Sequence, residues 1–103
     1  MRAKVDFEEI IHSIDMPDGS RIVLLDRAGK RDAYSKEERA RNIVFLDVRG
    51  RVVWQVSSRF DSDGGPFTRI ARENKKLVAY RWDGGMYEID VGTGEAVPTY
   101  LAK

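Results

Sequence analysis

The stretch Asn42–Val56, NIVFLDVRGRVVWQV, decides the fold of this chain. Apolar Ile43–Leu46 ends at Asp47, Gly50 follows shortly after, and Val52, Trp54 and Val56 then alternate along a second run. Strand, tight reversal, strand is what that pattern dictates. Aspartate can hydrogen-bond the backbone of the reversal, and glycine can take the positive φ that a short hairpin loop needs.

The same grammar extends in both directions. Upstream, Ile10, His12, Ile14 and Met16 alternate in the manner of a half-buried strand, Pro17–Ser20 makes a reversal, and a second strand is expected over 21–26. Residues 27–41 break the β pattern. Ser35 with Glu38 fits a capping box, which predicts one short helix near 36–41 that has too little apolar area to grow long. Downstream, 57–66 reads as a loop, and strands are expected over 67–72, 77–82, 86–91 and 96–101, joined by reversals at 73–75, 83–85 and 92–94. On the first of these Phe67, Arg69 and Ala71 are expected to share a face. On the next two, Val78, Tyr80 and Trp82 are expected to share one with Tyr87, Ile89 and Val91, giving cross-strand packing. Pro98 marks the last strand as an edge, since proline cannot donate to a ladder.

The expected fold class is therefore mainly β: an antiparallel meander of six to eight short strands, blade-like, barrel-like or two-layered, with one short helix. A single domain spanning 1–103 is expected, its residues 1–6 loose. At this length and 42% hydrophobic content, roughly 60–70% of the extended-chain surface can be buried in one core. Eighteen basic and seventeen acidic residues give a net charge of +1, too little for a field that draws in nucleic acid or an anionic membrane. Cysteine is absent, which removes disulfide and thiol chemistry and agrees with a cytoplasmic setting. No apolar run is long enough for a secretion signal or a membrane span.

Two strings, NIVFLDVRGRVVWQV (42–56) and KLVAYRWDGGMYEIDVGTGEAV (76–97), resemble strand pairs in quinoprotein-type β-propeller blades. They are also similar to a group of small uncharacterised bacterial proteins that carry such phrases once per chain. The resemblance implies four-stranded sheets and no activity, and one chain is too short to close a propeller ring. A run-and-turn repeat supports the same picture: Ile22–Asp26 with Gly29 recurs as Ile43–Asp47 with Gly50. No quinone or calcium ligand set carries over.

Chemistry-bearing residues are few. His12 is the only histidine, with no companion at ligand spacing. No serine sits in a nucleophile elbow, and no catalytic residue is assigned. Asp61 and Asp63, in Asp61-Ser62-Asp63-Gly64-Gly65, are the candidates for a weak cation site, but a calcium loop would want glutamate at its twelfth position, where Arg72 stands. Arginines and aromatics interleave more suggestively. Tyr34, Arg59, Arg69, Arg81 and Trp82 are the interaction candidates, either as a protein-facing patch or as a stacking and phosphate-contact surface. The expectation is a non-catalytic structural or protein-interaction domain without a cofactor. Its partner is a second copy, as a homodimer, or another protein; single-stranded nucleic acid is the alternative.

Overall fold

A computed structural model describes residues 7–27, 32–59, 61, 65–82 and 84–99. The expectation that 1–6 are loose and the end of the last expected strand, at 100–101, fall outside them. A 3-10 turn at Phe7–Glu9 leads into β1 (Ile10–Asp15) and β2 (Arg21–Leu25); α1 (Lys36–Ala40) is followed by β3 (Ile43–Leu46) and β4 (Val52–Gln55). The second half supplies β5 (Phe67–Glu73), β6 (Lys76–Arg81), β7 (Met86–Ile89) and β8 (Ala96–Pro98). Eight strands form two four-stranded sheets in the orders β1-β2-β3-β4 and β5-β6-β7-β8, every pair antiparallel. The architecture is thus a two-layer β structure with one short helix. Neither sheet closes into a barrel, so of the forms expected for the meander the two-layered one is found.

Local chemistry explains the elements. Ser35 accepts from the Glu38 amide and Glu38 returns to the Ser35 amide, so the expected capping box starts α1. At the β3–β4 reversal Asp47 Oδ1 accepts from the amides of Arg49 and Arg51, and Gly50 takes φ +81°. The β5–β6 turn uses Asn74 and Lys75, both at positive φ, the geometry that joins twisted strands directly.

One core joins the layers. Ile22, Leu24, Ile43, Trp54 and Val56 from the first sheet meet Phe67, Ile70, Leu77, Ala79, Tyr87, Ile89 and Ala96 from the second. The opposite face of the first sheet is buried too, through Val23, Leu25, Val44 and Leu46. Trp54 settles into the core with its Nε1 donating to the Val91 carbonyl at 2.7 Å. Its ring lies against Gly94, where a Cβ would come within 2.6 Å of Cε3. A polar clasp holds the layers at one end: the buried Asn42 amide donates to the carbonyls of Leu25 in β2 and Phe67 in β5, both at 2.8 Å, and its Oδ1 accepts from the Phe67 amide.

Two face assignments need correction. A bulge between Phe67 and Arg69 shifts β5, so Phe67 and Ile70 point inward while Arg69 and Ala71 point out. On β6 the inward residues are Leu77, Ala79 and Arg81, paired with Ile89, Tyr87 and Phe67 respectively; Val78, Tyr80 and Trp82 take the other face. Sheet edges also differ in availability. At β8 the Ala96 amide donates to Ser57 and Pro98 has no donor, which leaves that edge poorly suited to pairing with a second chain.

Two outcomes test this account. Asn42→Ala strands three backbone groups in the interior, so chemical unfolding should show a loss of about 3 kcal/mol. The Asp47 carboxyl is held below its ordinary value of 3.8, first by the Arg51 amide and then by the Arg49 amide and the Arg51 guanidinium. Its stabilising effect is therefore present above that ordinary value and lost as pH falls through the lowered folded value. Asp47→Asn should narrow the gap between urea midpoints measured at about pH 6 and about pH 3.

Candidate functional site

The inward turn of Arg81 organises the far end of the core. Its side chain is 1% exposed, and its Nη2 lies 3.2 Å from Asp61 Oδ1. Nη1 donates to the carbonyls of Gly65 and Ala40. The guanidinium lies over the rings of Phe67 and Tyr87, 4.1 and 4.6 Å from their centroids. Asp61 spends its other oxygen on Arg41 Nε at 2.7 Å and the Ser58 amide at 3.0 Å. A buried charge needs this much compensation: removing Asp61 leaves the Arg81 guanidinium without a carboxylate in the interior, at a cost of roughly 3–5 kcal/mol.

The structure sorts the residues expected to act at a site. Arg81 lies inside and cannot touch a partner. Asp61 has both oxygens engaged by protein donors, and Asp63 lies outside the described residues. Among the described residues no group of three or more His, Asp or Glu side chains is placed to hold a metal ion. Tyr34 is half-buried and donates to Glu9 Oε1 at 2.9 Å, with Arg27 stacked 4.2 Å over its ring, so it ties the segment after β2 to the 3-10 turn. Arg59 is exposed in the turn after β4, and His12 is exposed on the edge strand β1.

Arg69 and Trp82 do come together, on the outer face of the second sheet. Strand alternation places Arg69, Ala71 and Glu73 there from β5, Lys76, Val78, Tyr80 and Trp82 from β6 and its end, and Met86 and Glu88 from β7. Val97 stands opposite Glu88. Arg69 stacks 4.9 Å over the Tyr80 ring. Trp82 is 65% exposed yet anchored: its amide donates to Pro66, and its indole rests on Gly65, whose φ of +72° and missing Cβ leave room for Nε1 and Cδ1. Val97, 53% exposed, extends the apolar surface. Met86, Val97 and the seat at Gly65 were not singled out in the sequence; the period-2 alternation of 86–90 and 95–99 is the signal that marks the first two.

Because Trp82 contributes little to the core, Trp82→Ala should shift Tm by only about 2 °C or less, whereas Trp54→Ala should cost roughly 3–5 kcal/mol. Thermal melts of the two variants side by side check this.

No curated protein and no solved structure matches the chain. The propeller-blade resemblance is therefore corrected: no propeller structure shares the arrangement, the two sheets are open, and the blade-like phrases record only hairpins ended by aspartate and glycine. A single family accounts instead for nearly the whole chain, matching residues 2–101. The chain belongs to that family, described as Domain of unknown function (DUF7957).

Proposed function

We propose that this protein is a non-catalytic protein-interaction domain whose contact surface is the outer face of the second sheet, centred on Trp82. The observation that carries the reading is a large aromatic side chain left 65% exposed while its backbone and ring edge are held by Pro66 and Gly65. A rigid exposed tryptophan loses little conformational entropy on burial, and such residues dominate binding energy at protein interfaces. Tyr80 and Met86 supply apolar area beside it, Val97 extends that area further along the face, and Arg69 is already stacked for a further planar contact.

Single-stranded nucleic acid fits this face less well. Arg81 is withdrawn into the core, and the carboxylates of Glu73 and Glu88 accompany Arg69 and Lys76 on the surface. No helix among the described residues is long and apolar enough to cross a membrane. The absence of cysteine supports a cytoplasmic site of action.

Replacing Trp82 with a photo-crosslinking aromatic amino acid in cells tests the proposal. Irradiation should yield a discrete protease-sensitive adduct from position 82 and none from the equally exposed Val48 in the β3–β4 reversal. A nuclease-sensitive adduct, or identical products from both positions, would overturn it.

A further inference from the structure

The outer face of the second sheet also carries charge of one predominant sign, and its distribution specifies the partner. At the Trp82 end lie Tyr80, Met86 and Arg69. Toward the opposite end the hydrogen bond from the Asp90 amide to the Glu95 carbonyl, in register with Glu88 and Val97, sets Asp90 and Glu95 on the same face as Glu88. These three carboxylates, with Val97, Pro98 and Thr99, line an open groove of about 360 Å³ beside the exposed apolar strip. Lys76 reaches Glu88 at 3.6 Å, and Asp90 Oδ1 accepts from the Gly92 amide. The Glu95 carboxylate has no partner among the described residues. Across the face four carboxylates stand against two cations, whereas the chain as a whole is slightly basic.

We infer that the occupant of this face is a basic, extended segment of another protein, with an apolar residue against Trp82 and Tyr80 and lysine or arginine side chains over Glu88, Asp90 and Glu95. This deepens the proposed function and rests on it. Same-face positions on β8 repeat every ~7 Å, so Thr99 and Glu95 lie about 13 Å apart, a length that four or five extended residues span. Cations at alternate positions of such a segment meet the groove, and partial desolvation by Val97 and Pro98 strengthens the attraction. A second copy is disfavoured as occupant, because stacking two such faces doubles the excess of carboxylates.

The test titrates the full chain into two fluorescein-labelled heptapeptides, Lys-Leu-Lys-Thr-Lys-Leu-Lys and its counterpart with glutamate for lysine, followed by fluorescence polarisation. The cationic peptide should bind, and more weakly at about 300 mM than at about 50 mM salt. The acidic peptide should not bind. E88K/E95K, which alters half-buried Glu88 and exposed Glu95 outside the core, should weaken binding by about tenfold or more, and circular dichroism should show the variant folded. Failure of the cationic peptide to bind at up to about 1 mM, equal binding of both peptides, or an unaffected E88K/E95K variant overturns the inference. Concentration-dependent self-association of the chain that Trp82→Ala abolishes would do so too, by assigning the face to a second copy. If Trp82→Ala abolishes peptide binding while E88K/E95K leaves it intact, the charge assignment fails and the face survives. Loss of the position-82 crosslink removes the face itself.

Discussion

The pairing of Arg81 with Asp61 is the constraint from which the arrangement of the second sheet follows. Strand parity is binary: once Arg81 occupies an inward position, Leu77 and Ala79 must follow it in, and Tyr80 and Trp82 must face out. A cation in the core is tolerable only because Asp61, two carbonyls and two aromatic faces surround it, and because Arg41 and the Ser58 amide fix Asp61 in turn. The exposed tryptophan on which the functional proposal rests is thus the counterpart of a buried ion pair. Asn42 acts alongside it, tying β2 to β5 through backbone groups that would otherwise be stranded at the junction of the sheets.

Element positions were legible because they rest on short-range chemistry. Asp47 with Gly50 encodes a reversal by itself, Ser35 with Glu38 encodes a helix start, and the eight strands lie where alternation and turn residues place them. Facing was not legible where it depends on partners distant in sequence. In Lys76–Trp82 the aromatics make the better core residues by type, and only Asp61, twenty positions away, makes Arg81 acceptable inside. The bulge between Phe67 and Arg69 is equally silent in the sequence, yet it reverses the facing of every later β5 residue. The candidate site inherited that difficulty. Trp82 and Arg69 were recognisable as chemistry-bearing residues, Arg81 looked equivalent to Arg69, and Glu88 and Glu95 look like ordinary surface charges until the register aligns them.

Interaction through a sheet face, and not through an edge, agrees with how the edges are finished. At β8 the outward amide of Ala96 is taken by Ser57 and Pro98 supplies none. At β5 the Phe67 amide and carbonyl are taken by Asn42. At β1 a bulge between Ile10 and His12 interrupts the ladder. Such devices discourage indiscriminate strand addition, leaving recognition to side chains, which can discriminate sequence where a backbone ladder cannot.

Each sheet is assembled from strands that follow one another in the chain, with no crossover within a sheet. Strand pairing therefore involves short reversals except between β2 and β3, where the connection carries α1, and the largest long-range entropy cost falls on a single docking event between two halves. The order of events this implies is local zippering of each four-stranded ribbon, followed by their collapse onto Trp54 and Phe67. Cleavage between Ser58 and Gly65 would then separate two fragments that each retain a complete set of paired strands, the topology that permits reassembly from pieces.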